Sequence, residues 1–411
     1  MDYPENIVII GGSLAGGTAA VTLREEGYKG RVTLVGEESH APYERPALSK
    51  DFLANGSLDA ILTRPIVSYT DRGIETKFGS RAVKIDVSSR SVELSSREQL
   101  PFDRLLLATG ARNRLLPLPG LDLQGVFSLR TADDAIALRR AIRPGGRAVV
   151  LGMGFIGTEV SAALRSSGME VTAVEMLSAP LVQALGNDMG SVLKDVHAEH
   201  GVDMIFEDRA IALGGEGHVK SVLTASGRTL ECDLVVFGFG TEPNSELAVD
   251  AGLEVQGGIR VDEFCRTSVD GIYAAGDVTN HFHPLAGRHL RVEHWQNAIL
   301  QAKVAARNML GQMVSYDDVH WFWSSQYTER IHYAGFHGPW DRYVTRGSVS
   351  ARDFSVFYLD GRRLVGVAGC NRPRDVRTAM ELMKSGISLN DADLASDDVS
   401  LKSLVQPAAV G

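Results

Sequence analysis

The residues with the clearest chemical purpose are glycines. Gly11, Gly12, Ser13, Leu14, Ala15 and Gly16 follow the apolar run Ile7-Val8-Ile9-Ile10 and lead into a helix-compatible stretch that ends near Glu26. Glycines at a strand-to-helix turn let the backbone approach a pyrophosphate, whose charge meets the N–H groups and the positive dipole end of the helix. A second apolar strand over residues 31–35 leads to Glu37. A carboxylate about 20 residues beyond such a turn is placed to accept hydrogen bonds from an adenosine ribose. Ser13 stands where this fingerprint has its second glycine, and taken alone the segment reads equally well as an ordinary strand–helix turn.

The unit then returns. Residues 147–151 form an apolar strand, and Gly152-Met153-Gly154-Phe155-Ile156-Gly157 matches the fingerprint without substitution. A helix over about 158–166 and a strand over 170–174 follow, ending at Glu175. Two fingerprints, each with its strand, helix and terminal acid, argue for two dinucleotide-binding units. Glu175 implies NADH rather than NADPH, because it would bond both ribose hydroxyls and repel a 2′-phosphate. Met176, Leu177, Ser178 and Ala179 supply no arginine to receive that phosphate. Each unit also carries a buried strand ending in a small-residue turn: Ala108-Thr109-Gly110 in the first, Gly238-Phe239-Gly240 in the second. A further strand delivers Gly276 and Asp277 at a turn.

The elements that must position these turns give an α/β fold. It has two Rossmann-type dinucleotide-binding domains of the glutathione-reductase type plus a C-terminal α+β domain. The expected boundaries are 1–114 and 245–319 for a discontinuous first domain, 115–244 for the second and 320–411 for the third. In the last, strands over 343–349, 354–359 and 364–368 precede a helix over 373–384. A net charge of −9 argues against nucleic acid as a partner, since a duplex would repel the chain. No apolar run approaches the roughly 18 residues that span a bilayer, and residues 1–10 show no basic segment ahead of an apolar core. Three cysteines, Cys232, Cys265 and Cys370, lie far apart, which fits a reducing cytoplasm. Flavin disulfide reductases need two cysteines a few residues apart near the first helix; residues 39–45 hold none, so dithiol chemistry is excluded.

With these motifs in place the chain resembles the FAD-dependent, NADH-linked ferredoxin reductases of bacterial oxygenase systems. Putidaredoxin reductase and the biphenyl dioxygenase reductases are of this kind, and apoptosis-inducing factor shares the fold. The resemblance runs along the whole chain. It is carried by residues 45–50 (Arg-Pro-Ala-Leu-Ser-Lys), the turn at 108–110, residues 152–159, residues 274–277, residues 291–298 and residues 322–327. The last departs from the family's Phe-Trp-Ser-Asp-Gln by carrying Ser325 in place of aspartate.

The resemblance implies FAD and NADH as cofactors and a 2Fe–2S ferredoxin as partner. NADH gives hydride to FAD, and the two electrons then leave singly for the ferredoxin, which supplies an oxygenase. It implies FAD contacts from Gly11, Ser13, Leu14, Ala15, Gly16, Glu37, Arg45, Val83, Ala108, Thr109, Gly110, Arg130, Gly276, Asp277, Glu293, His294, Trp295 and Trp323. For NADH it implies Gly152, Gly154, Phe155, Ile156, Gly157, Glu159, Glu175, Gly238 and Gly240. Lys50 is assigned to the flavin N5–O4 edge and Glu159 to holding it charged and oriented there. Read on their own, Lys50 would be a surface lysine at a helix start and Glu159 a solvated first-turn acid. Other acceptors on the same scaffold, such as rubredoxin or a quinone, and a redox-gated interaction protein remain the alternatives. Residues 342–384 carry nine basic residues against four acids, which suggests a basic ferredoxin-docking face on the C-terminal domain.

Overall fold

Alternation of β-branched strands with helices rich in small residues dictates parallel sheets covered by helices. The computed structural model describes residues 4–336 and 338–405, so the last residues of the expected C-terminal domain, 406–411, lie outside it. The chain divides into two compact units. The first is built from Met1–Glu44, Leu58–Arg112 and Glu242–Trp321, the second from Arg45–Ser57, Asn113–Thr241 and Phe322–Gly411.

In the first unit the strand Asn6–Ile10 lies at the centre of a parallel sheet. Arg31–Gly36 and then Ile74–Phe78 lie to one side of it, Arg104–Leu107 and then Ile272–Ala274 to the other. Its residues are buried on both faces, as a covered parallel strand requires. The helix Leu14–Glu25 reads Leu-Ala-Gly-Gly-Thr-Ala-Ala, and its small side chains allow close approach to the helix Trp295–Met309, with Ala19, Ala20, Ala302 and Ala305 in one core.

The second unit repeats this order. Arg147–Leu151 is central, with Glu170–Val174 and Val202–Ile205 on one side and Leu234–Phe237 and Val126–Ser128 on the other. The repeat extends further than the fingerprints. Each unit inserts a three-stranded antiparallel sheet immediately before the strand that flanks the central one on its other side: Ala82–Asp86, Ser91–Leu94 and Gln99–Pro101 in the first, Ala210–Glu216, His218–Thr224 and Thr229–Glu231 in the second.

The C-terminal segment folds into a five-stranded sheet ordered Trp321–Gln326, Glu329–Gly335, Arg363–Cys370, Asp353–Asp360 and Arg342–Ser348, followed by the helix Pro373–Ser385. Within the second unit this sheet packs on the helix Val182–Glu199. Leu185, Met189, Val192 and Val196 meet Ile331, Phe354, Val356 and Tyr358, and the Tyr358 hydroxyl donates to the Leu185 carbonyl at 2.6 Å. Among the described residues no helix is long and apolar enough to cross a membrane.

Candidate functional site

Each fingerprint turn is shaped by what a side chain would strike. Gly11 has φ +121°, and a Cβ there would lie 2.0 Å from the Ala108 carbonyl oxygen; at Gly152, φ +92°, it would lie 2.9 Å from the Gly238 carbonyl oxygen. The two turns are therefore built alike, each pressed against the small-residue turn of its own unit. Neither following helix, Leu14–Glu25 or Phe155–Ser166, is capped by a side chain. Their first-turn N–H groups are available to an anion, and the residues present fit a pyrophosphate in both places.

In the first unit the Ala108-Thr109-Gly110 turn is locked by Asn244. Thr109 Oγ1 donates to the Asn244 carbonyl at 2.7 Å, Asn244 Nδ2 donates to the Thr109 carbonyl at 2.9 Å, and the Asn244 N–H donates to the Gly110 carbonyl. Gly276, which delivers the half-buried Asp277, sits against Ala15 at the helix start, where an added Cβ would lie 3.1 Å from the alanine methyl. Its N–H donates to Gln301 Oε1, which also accepts from Thr279. Ser13, Leu14, Ala15 and Gly16 thus share one locality with Gly276 and Asp277. Glu37 is 70% exposed, with Arg81 at 3.6 Å, and Val83 is exposed on its strand. Glu293 pairs with Arg291. His294 occupies the N-cap of the helix that begins at Trp295, and Asn297 braces that start through the Val292 carbonyl and the Tyr316 hydroxyl.

The second unit holds the second glycine fingerprint together with Arg45, Lys50, Arg130 and Trp323. Glu175 is preset: one carboxylate oxygen accepts from the Met153 N–H at 2.6 Å and the other from the Leu177 N–H at 2.9 Å. Nothing lies within 4 Å of where a Cβ of Gly154, Gly238 or Gly240 would be. Phe155 packs edge-on against Phe322, and Ile156 is exposed. Arg45 donates to the Arg130 carbonyl at 2.5 Å, and the Arg130 N–H donates to Asp134. Trp323 is half-buried.

Lys50 and Glu159 are an ion pair, with Lys50 Nζ 2.7 Å from Glu159 Oε2. Glu159 is only 5% exposed, not solvated, and Lys50 is 20% exposed. A buried carboxylate is tolerable only when paired and hydrogen-bonded, and here both oxygens accept. Oε2 also accepts from Ser49 Oγ at 2.5 Å, and Oε1 accepts from Ser324 Oγ at 2.6 Å. Behind Ser324, Gln326 Nε2 donates to Thr158 Oγ1 at 2.8 Å, and Gln326 Oε1 meets buried His197 Nε2 at 2.9 Å. Burial pulls the His197 pKa down, keeping it neutral.

Ser49, Ser324 and Gln326 carried no role in the sequence, although all three lie inside motifs that did. The signal was strand alternation: Ser324 and Gln326 face inward while Ser325 is exposed. The departure at Ser325 therefore leaves the Glu159 surroundings untouched.

Folding pairs at least four of the nine basic residues of 342–384 with acids. Arg342 pairs with Asp391, Arg346 with Asp375 and Asp397, Arg352 with Glu199 and Glu329, and Arg372 with Asp353 and Asp397. Folding brings in acids from outside the segment that counting along it missed. Arg374 and Arg377 are exposed on the helix Pro373–Ser385 and pair with no acid among the described residues.

All three cysteines are buried and free, and burial raises each thiol's pKa, Cys232 and Cys370 to about 12. None is placed for thiolate chemistry.

Residues 5–302 match the family described as pyridine nucleotide-disulphide oxidoreductase, and residues 321–405 match the reductase C-terminal family. Rhodocoxin reductase of Rhodococcus erythropolis is 41% identical over 399 residues, which is 97% of this chain and 93% of that protein. The ferredoxin–NAD(+) reductase component of the anthranilate 1,2-dioxygenase system of Burkholderia cepacia is 38% identical, over 97% of this chain and 98% of its own. Among solved structures, the covalent putidaredoxin reductase–putidaredoxin complex aligns with a TM-score of 0.94 at 33% identity, covering 98% of both chains. Two fingerprint turns on repeated sheets, an appended C-terminal sheet and these full-length likenesses make the chain a member of the pyridine nucleotide-disulphide oxidoreductase family, of the branch that carries the reductase C-terminal domain.

Proposed function

We propose that the chain is a cytoplasmic NADH-dependent reductase of a 2Fe–2S ferredoxin that serves an oxygenase. One observation carries the reading. Two dinucleotide cradles share a chain whose cysteines are buried and apart, so electrons that enter as hydride have no dithiol through which to leave. The names of the full-length relatives support a ferredoxin as the acceptor.

The proposed division of labour follows the sequence reading. Residues 1–114 and 245–319 hold FAD, 115–244 hold NADH, and 320–411 form the C-terminal domain. When bound, FAD supplies the conversion of a two-electron hydride donor into single electrons. Glu37 and Asp277 hold the cofactor's hydroxyl groups, and the first-turn N–H groups after Ser13 meet its pyrophosphate. Glu175 holds the NADH ribose. Lys50, kept charged and oriented by Glu159, stabilises the negative charge that develops as hydride arrives. Ser49 and Ser324 act one step further out by fixing the Glu159 carboxylate.

Steady-state reduction of cytochrome c by NADH tests this: turnover is expected only when a 2Fe–2S ferredoxin is added. A long-lived charge-transfer complex with little turnover for any ferredoxin would overturn it. Docking is proposed for the face bearing Arg374 and Arg377, where uncompensated positive charge would steer an acidic ferredoxin. Reversing both to glutamate should raise the apparent KM for ferredoxin and remove its salt dependence, leaving NADH-to-ferricyanide activity intact. An unchanged KM places docking elsewhere.

A further inference from the structure

The strand Thr279–His283 carries His281 and His283, two residues apart, and side chains at that spacing leave one face of a strand. His320 joins them from a segment more than thirty residues away along the chain. All three are at most 1% exposed, and each offers a ring nitrogen such that the three atoms lie within 4.8 Å of one another. They form the only such group among the described residues, and the reading of the dinucleotide sites gives them nothing to do.

The hydrogen bonds settle part of the tautomer question. His283 Nε2 lies 3.0 Å from the Asp318 carbonyl, which only accepts, so the His283 proton is on Nε2 and its Nδ1 keeps a lone pair. His281 and His320 meet through their Nε2 atoms at 3.2 Å. Whichever of the two donates, His281 Nδ1 has no partner. It is a bare lone pair in one tautomer and an unsatisfied N–H in the other. Tyr316 packs against the rings, and its hydroxyl donates to Asn297. As a purely hydrogen-bonded trio the cluster is incomplete. A separation of 3.2 Å between two imidazole nitrogens is also close to that of adjacent ligands on a tetrahedral ion, about 3.3 Å for bonds of about 2.0 Å.

We infer that His281, His283 and His320 form a binding site for one divalent transition-metal ion of the zinc class. Two histidines from one strand face and a third from a distant segment are a three-imidazole donor set, which suits zinc, copper or nickel and not calcium or magnesium. The ion is a structural tie. It fastens the strand that begins two residues after Asp277 to the segment leading into Trp321–Gln326, and no electron passes through it.

The test uses the intact FAD-bound protein without a histidine tag, stripped with dipicolinate and titrated with cobalt(II), then with zinc in competition. Wild type should take up one cobalt(II) per chain, with visible absorption to the red of the flavin bands, and zinc should displace it. A zinc concentration a hundredfold above Kd should raise Tm by about 5 °C. His281→Ala, His283→Ala and His320→Ala should each abolish saturable uptake, with bound flavin absorbance reporting that each variant is folded. Absence of saturable cobalt(II) uptake by wild type overturns the inference without recourse to any variant. Uptake that persists in all three variants overturns it equally.

Discussion

Gly11 and Gly152 open turns of the same construction, yet their surroundings differ in a consistent direction. The first turn is walled closely: a Cβ at Gly11 would penetrate a carbonyl at 2.0 Å, against 2.9 Å at Gly152. Its second fingerprint position is filled by Ser13, whereas Gly154 faces open space. Its acid, Glu37, stands 70% exposed beside Arg81, whereas Glu175 is fixed by two backbone N–H groups. On the proposed function the first cradle keeps its cofactor and the second exchanges its own at every turnover. A resident ligand can order a loose acid once. An exchanging ligand gains from a subsite already ordered and open, because ordering is then not repeated at each encounter.

The comparison breaks most visibly at the first glycines. Gly11→Ala should cost about 3 kcal/mol or more, since the backbone and not a flexible side chain must move. The purified variant should have lost FAD, read from the ratio of flavin to protein absorbance. Gly152→Ala should retain FAD and lose NADH affinity. A flavin-replete Gly11→Ala protein would show that the tight wall is not what holds the cofactor.

Next in size is the ion pair. Glu159→Gln and Lys50→Ala should each slow flavin reduction by NADH about 100-fold, the scale of removing one preorganised electrostatic contact, with FAD bound. Ser324→Ala should do the same more weakly, because it removes one of three donors to Glu159. Stopped-flow traces at wild-type rates for both Glu159→Gln and Lys50→Ala would remove the pair from the mechanism.

Much of this plan was legible because glycine turns and β-branched strands are local signals. The strands at 147–151 and 170–174 have the ends that periodicity assigns, and the helix at 373–384 runs one residue further, to Ser385. The family resemblance, not spacing, paired Lys50 with Glu159. Nothing local joins residues so far apart, and a glutamate five positions into an amphipathic helix reads as solvated until Ser49 and Ser324 are seen to donate to its carboxylate. The same non-locality hid Asp397, which lies outside the counted segment and pairs with both Arg346 and Arg372. It also hid the helix Val182–Glu199 under the C-terminal sheet, where Gly186 (φ +76°) interrupts the regular pattern.

Smaller effects test the preset acid. Glu175→Ala should raise KM for NADH about tenfold, the equivalent of one charge-assisted hydrogen bond of about 1.5 kcal/mol, and narrow the preference over NADPH. Glu37→Ala should leave NADH kinetics unchanged and lower FAD affinity by less than Glu175→Ala lowers that for NADH. Gly154→Ser should also raise KM for NADH about tenfold, by placing atoms where a pyrophosphate needs to come close. Equal discrimination between NADH and NADPH in wild type would undo the assignment of Glu175.

The smallest effect is expected at Ser13. Its backbone, φ −108° and ψ −160°, is ordinary extended chain that does not call for glycine, and its hydroxyl caps no helical N–H. Ser13→Gly therefore removes no hydrogen bond and relieves no strain. Against this stands only the extra freedom of glycine in the unfolded chain, a few tenths of a kcal/mol at an N-cap position. Tm should move by about 1 °C or less. FAD affinity, measured by release during dilution, should stay within about threefold, or about 0.7 kcal/mol. The value of so small an effect lies in its pairing with Gly154→Ser. A neutral Ser13→Gly beside a damaging Gly154→Ser means the two cradles admit their pyrophosphates differently, the first over a side chain and the second through open space. Damage from Ser13→Gly would mean that the serine hydroxyl itself bonds the cofactor, and the first cradle would owe its hold to that residue as well as to its walls.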